Sequence, residues 1–197
     1  MAHGPRYRIP FRRRKQGKTN YHKRLDLLKS GKLRLIIRTS NKHTIVQFIK
    51  SQKGGDKILV SAYSDELTKK FGYKANTGNI PAAYMTGYLA ALRAKKANIE
   101  DVILDLGSFN KRNRVLAAFK GVLDGGIEIP HREEFFPEGL EERIDGSHIE
   151  NYAKTVKKND PERFQKLFSG YLKKNKIDPL KISQIVSSTK KQIESKL

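Results

Sequence analysis

The sequence predicts an α/β domain built on a mixed sheet, with a basic arm before it and helices after it. Three observations carry that prediction. Short alternating apolar runs crowd residues 32–62, strand and helix patterns alternate over residues 79–129, and two amphipathic segments near the end open on the same Asp-Pro pair.

Residues 1–31 read as an extended arm. Pro5 and Pro10 oppose helix, Gly17 and Gly31 punctuate, and only Tyr21 to Ser30 has the apolar spacing of a short helix, so order there is expected from a partner. Leu33, Leu35 and Ile37 then alternate with Lys32, Arg34 and Ile36, which predicts a strand. A polar turn at Ser40, Asn41 and Lys42 leads into a returning strand carrying Ile45, Val46, Phe48 and Ile49. Gly54–Gly55 makes the next turn and Lys57 to Ala62 the third strand of an antiparallel meander.

The period then changes. Asn79 and Pro81 are helix-start signals, and Ala82 to Ala94 is apolar nearly all round: a buried helix, ended by Arg93, Lys95 and Lys96 too early for a membrane span. Val102 to Leu106 suits a central strand, Arg114 to Leu123 a second helix stopping near Gly125–Gly126, and Ile127 with Ile129 one further strand before Pro130. A meander followed by strand and helix in alternation predicts one mixed sheet with helices on its faces, spanning 32–130. Residues 131–197 supply an acidic connector (131–150) and a helical extension. Asp160–Pro161 and Asp178–Pro179 each put a capping carboxylate before a first-turn proline, and Phe164, Leu167, Phe168, Tyr171 and Leu172 form one stripe, Ile182, Ile185, Val186 and Ile193 another.

The formal charge is +21, and residues 1–50 hold 15 basic side chains against 1 acidic, whereas residues 125–150 hold 2 against 8. A field of that size destabilises a compact chain by self-repulsion, so a polyanionic partner is expected. No apolar run reaches membrane-spanning length and the N-terminus lacks a secretory apolar stretch, which makes the cytoplasm the expected compartment and a membrane partner unexpected. Zero cysteines exclude disulfides, Cys-ligated zinc, iron–sulfur clusters and thiol nucleophiles. The five histidines are scattered and no phosphate-binding loop is present, so neither metal nor cofactor is expected.

Residues 5–24 carry nine Lys or Arg and no acid, with Tyr7, Phe11 and Tyr21 among them. Arginine gives bidentate phosphate contacts and planar stacking, lysine gives point charges, and aromatics give bases a face. A solvated tail is the bland alternative; nine cations without one anion on a proline-broken backbone favour nucleic-acid binding. The turn Ser40–His43 is a second candidate contact. Asp65, Glu66, Glu100, Asp101 and Asp105 are the carboxylates a Mg²⁺ nuclease would gather, but helix capping and turns account for them better. Phe135–Phe136, within acidic surroundings, reads as core packing first and as a protein-partner contact second.

Four blocks, at 7–28 (YRIPFRRRKQGKTNYHKRLDLL), 79–94 (NIPAAYMTGYLAALRA), 104–131 and 146–153 (GSHIENYA), together resemble one family: the universal 5S-rRNA-binding protein of the large ribosomal subunit, in its archaeal and eukaryotic form. An ending at Leu197 resembles the archaeal type. The resemblance implies a ribonuclease-H-like, three-layer α/β/α core with a mixed sheet and no catalysis. It also implies residence in the central protuberance, with 5S rRNA, large-subunit rRNA and neighbouring ribosomal proteins as partners. Carried over by position, the RNA-facing residues would be Tyr7, Arg8, Phe11, Arg12, Arg13, Arg14, Lys15, Gly17, Lys18, Thr19, Tyr21 and Arg24 in the arm. Thr39, Ser40, Asn41, Lys42 and His43 would follow at the turn, then Phe71, Gly72 and Lys74. The loop after Gly107 departs from the family's proline-bearing version, so no contact is carried over to Lys111, Arg112 or Arg114.

Overall fold

A computed structural model of the chain describes residues 4–107 and 112–197. The predicted meander forms: β1 (Leu33–Thr39), β2 (Thr44–Gln52) and β3 (Gly55–Tyr63) pair antiparallel, and β4 (Val102–Asp105) adds to β1 in parallel, giving the order β3-β2-β1-β4. The run at 102–106 therefore lies at an edge and not in the centre. Ile127 and Ile129, expected to extend the sheet, form no strand; both are buried, and burial rather than pairing explains their apolar character.

One face of the sheet presents Leu35, Ile37, Val46, Phe48, Ala62 and Val102, all enclosed under α4 (Ile80–Lys96) and α5 (Asn113–Asp124). The small residues of α4 serve α5. A Cβ added to Gly87 would overlap the Ala118 carbonyl oxygen, and one added to Gly121 would overlap that of Tyr84. The Asn79 side chain caps α4 by accepting from Ala82 N at 2.9 Å, with Pro81 in the first turn.

The other face is set by a bulge. Phe48 pairs with Val60 but Ile49 pairs with Ile58, leaving Leu59 unmatched. One extra residue reverses the in–out parity of the strand before it, so Asp56 points to the same side as Arg34, Ile36 and Asp105. Over that side lies the arm, whose α1 (Arg12–Lys15) is one helical turn and whose α2 (Tyr21–Lys29) matches the expected short helix. Sheet, core helices and arm helix make three layers. The arm was expected to take its order from a partner; instead Arg24 Nη2 donates to Asp56 Oδ1 at 2.8 Å, so the sheet itself anchors it.

Beyond the core, α6 (Leu140–Asp145) and the start of α7 (Ser147–Asn159) occupy the stretch read as an acidic connector, and α7 runs on through residues to which no element was assigned. The spacing of Ile149, Ala153 and Val156 is the helical signal that reading missed. The capping carboxylates are as expected: Asp160 Oδ1 accepts from Arg163 N at 2.9 Å to start α8 (Pro161–Leu167), and Asp178 Oδ1 from Leu180 N at 3.0 Å before α9 (Ile182–Lys196). Ile182, Val186 and Ile193 bury α9 against the core, and Tyr88 Oη donates to Glu194 at 2.8 Å. Leu167, assigned to the α8 stripe, is half-exposed. Phe135 and Phe136 both meet the Phe119 ring, at 5.5 and 5.7 Å between centroids, so the pair does pack in the core.

Helix α3 (Ser64–Phe71) is tied to α4 by Glu66. Its carboxylate accepts from Arg93 at 2.7 and 3.1 Å, from Lys70 at 3.0 Å and from Tyr63 N at 3.1 Å. The Arg93 bonds, opposed by burial and aided by Lys70, hold the carboxyl at about 2. A carboxylate held below its unfolded value of about 4.3 gives stability that is complete above that value and lost as pH falls through the folded one. Glu66→Gln should therefore destabilise by ~1–2 kcal/mol at neutral pH. The gap to wild type should close between about pH 4 and pH 2. Melting curves across that range check it; a gap independent of pH would deny the ion pair its role.

Candidate nucleic-acid interface

The arm is shaped by its own sequence. Gly17 (φ +64°) ends α1 with Lys18 N on Arg13 O at 2.9 Å, a reversal that favours glycine, and Arg13 Nε donates to Thr19 Oγ1 at 2.8 Å. Asn20 Oδ1 then caps α2, accepting from His22 N and Lys23 N at 3.1 and 3.2 Å. Phe11 packs on Tyr21 with ring centroids 5.2 Å apart. Every Lys and Arg from Arg6 to Lys23 is exposed, and among the described residues none is ion-paired to a carboxylate.

Arg24 differs: it is half-buried on Asp56, and its guanidinium is held even more firmly protonated by that bond. Behind it sits Arg34, which the alternation left among ordinary polar positions. Its side chain is 1% exposed, with Nη1 donating to Asp105 Oδ2 at 2.7 Å and Nη2 lying 2.8 Å from Asp56 Oδ2. The chain Arg24–Asp56–Arg34–Asp105 links arm to sheet interior. Asp105 is thus a counterion, Glu66 serves Arg93, and Asp101 pairs with Lys32 at 2.9 Å. With Asp65 on Lys69 at 2.6 Å, four of the five carboxylates weighed as a nuclease cluster are engaged with a cation.

Between arm and sheet runs an open cleft of about 990 Å³, to which Arg13, Gly17, Lys18, Thr19, Tyr21 and Arg24 contribute one wall and Ile36, Arg38, Leu106, Gly107 and Arg112 the other. Arg38 and Lys23, which the sequence reading did not select, belong to it. For Arg38 the signal was available: it shares the face of Arg34 by its spacing of four on a strand.

From Arg38 the chain enters the turn, where Ser40 N donates to His43 O at 2.8 Å and His43 N to Ser40 Oγ at 3.0 Å. Ser40, Asn41 and Lys42 are exposed. His43 is not a free contact at the tip. Its ring lies 4.8 Å from that of Tyr63 at a tilt of 42°, with Nδ1 at 3.4 Å from Ser64 Oγ and 3.3 Å from Thr77 Oγ1, so it supports the turn from beneath. Thr77 Oγ1 also donates to Lys42 O at 2.9 Å, and a Cβ on Gly78 would stand 2.6 Å from Asn41 O. Arg114 holds the same loop through Gly78 O at 3.0 Å. Lys111 lies outside the described residues.

Two further residues carried over as RNA contacts are at least partly enclosed. Phe71, assigned to RNA, is 4% exposed in the core, with Lys196 Nζ 5.8 Å above its ring. Thr39 Oγ1 is enclosed and has no hydrogen-bond partner among the described residues. Gly72 (φ +66°) closes α3, where a Cβ would meet Gln192 Oε1 at 3.1 Å, while Lys74 is exposed. Apolar interior demand accounts for the burial of Phe71.

Among the described residues no helix is long and apolar enough to cross a membrane. Residues 5–105 match the family described as "Ribosomal large subunit proteins 60S L5, and 50S L18". The chain is also 45% identical over 196 residues to the large ribosomal subunit protein uL18 of the archaeon Aeropyrum pernix, a match that covers 98% of this chain and 90% of that protein. A basic arm anchored on a mixed sheet, a family match over the arm and the whole sheet, and a relative aligned nearly end to end agree: the chain belongs to the family of large-subunit ribosomal proteins 60S L5 and 50S L18.

Proposed function

We propose that this chain is a non-catalytic, ribosome-bound component of the cytoplasmic large subunit that grips 5S rRNA and attaches it to large-subunit rRNA in the central protuberance. The observation that carries the reading is the arm: eight exposed cations from Arg6 to Lys23, without a carboxylate partner among the described residues, on a segment whose base is anchored by Arg24 to the sheet. Unpaired cations beside exposed Tyr7 and Phe11 offer phosphate contacts and base stacking together. Tyr7, Arg8, Phe11, Arg12, Arg13, Arg14, Lys15 and Lys18 would make the first contacts, with Ser40, Asn41, Lys42 and Lys74 meeting the RNA from the rigid side.

The test is a binding titration with 5S rRNA against an unrelated structured RNA of equal length. If roughly 6–10 phosphates are contacted, affinity should fall by about 10³–10⁵ between roughly 50 and 200 mM salt. 5S rRNA should keep its advantage throughout. A flat salt response, or equal affinity for the two RNAs, would defeat the proposal.

A further inference from the structure

We infer that the cleft between arm and sheet takes one or two unpaired nucleotides, swung out of the RNA stack and held between Lys18 and Lys23 on the arm side and Arg38 and Arg112 on the core side. The inference rests on the reading of the chain as an rRNA-binding protein and adds the form of RNA that this site selects. Shape is the first reason. A volume of about 990 Å³ lies within the range of sites that enclose small ligands. A duplex, by contrast, offers a wide convex backbone that can only lie across the mouth. Unpaired nucleotides enter such a space, and proteins that read single-stranded RNA do so by stacking splayed bases on aromatic or guanidinium planes.

Charge is the second. The two acidic residues of the cleft do not repel an anion as free carboxylates would, because Asp56 faces Arg24 and Arg34 and Asp105 faces Arg34. The cations at the rim have no such partner among the described residues. Rigidity is the third. The arm wall is held by the Asn20 cap, the Arg13–Thr19 bond and the Arg24–Asp56 pair, and Arg38 projects exposed from β1 beside the apolar floor at Ile36. Walls ordered before binding lose less entropy on binding. A guanidinium on a strand presents a planar face that lysine lacks.

The experiment uses the full chain and two labelled probes at one salt concentration: a single strand of about sixteen nucleotides and a blunt two-stranded duplex of about eight base pairs, with nearly the same number of phosphates and no loop. The single strand should bind roughly tenfold tighter, the effect of stacking about one base. Arg38→Glu should abolish that preference while leaving the melting curve intact. Arg163→Glu, an equal charge change on α8 away from the cleft, should weaken both probes by the same small factor and keep the preference. A wild-type protein that binds duplex as well as single strand, or an Arg38→Glu loss shared equally by both probes, overturns the inference. Intact 5S rRNA is titrated alongside: failure there would bring down the rRNA reading itself, whereas tight 5S binding without single-strand preference brings down only the cleft.

Discussion

Deletion of residues 1–20 should lower the affinity for 5S rRNA by more than about a hundredfold while leaving a cooperatively folded domain. The deletion removes seven Lys or Arg with Tyr7 and Phe11, and each of those cations is exposed. Each lost phosphate contact should also reduce the slope of log affinity against log salt by about 0.9. Stability should survive because no described residue of that segment is buried, and because the cut falls before α2, so Arg24 stays on Asp56. Among the described residues the deletion loses the Phe11–Tyr21 contact, the Asn20 cap and the bond from Arg24 N to Asn20 O. Circular-dichroism melting beside RNA binding separates the two effects. Equal affinity in the two proteins would make the arm a solvated tail; an unfolded truncation would make it part of the core.

Replacement of Arg34 by Met should destabilise the fold by ~3–5 kcal/mol, the largest effect expected of any single charge in the chain, because Asp56 and Asp105 lose their shared cation and Asp105 is left buried without a partner for its charge among the described residues. Burial alone would push the Asp56 carboxyl up, but pairing with Arg24 and then Arg34 outweighs it and holds the group at about 2. With the folded value below the unfolded one, this contribution is complete above about pH 4 and disappears as pH falls through about 2. The deficit of Arg34→Met should shrink over the same window. The triple variant Arg34→Met, Asp56→Asn, Asp105→Asn should recover most of the loss, the more so because Arg34 Nε has no hydrogen-bond partner among the described residues and its burial is only partly compensated. Urea midpoints for the three proteins decide it. An Arg34→Met protein as stable as wild type would show that the guanidinium does not hold the two carboxylates together.

The features legible in the sequence are those that depend on neighbours along the chain. Alternation of apolar residues marks β1 to β3, all-round apolarity marks α4, and the Asp-Pro pairs mark the starts at 161 and 179, because periodicity and capping act within a few residues. The cation excess of residues 5–24 is a property of composition and needs no fold at all. What the tertiary structure decided is which faces meet. Alternation shows that β1 has two sides but not what covers each. Arg34 therefore read like Lys32 until the bulge at Leu59 turned Asp56 toward it and β4 brought Asp105 alongside, 22 and 71 positions away in the chain. Phe71 in the core, His43 beneath its turn and the arm anchored on the sheet have the same cause. Each depends on a partner remote in sequence, and burial of a polar or aromatic group is settled by whether that partner arrives, not by the residue itself.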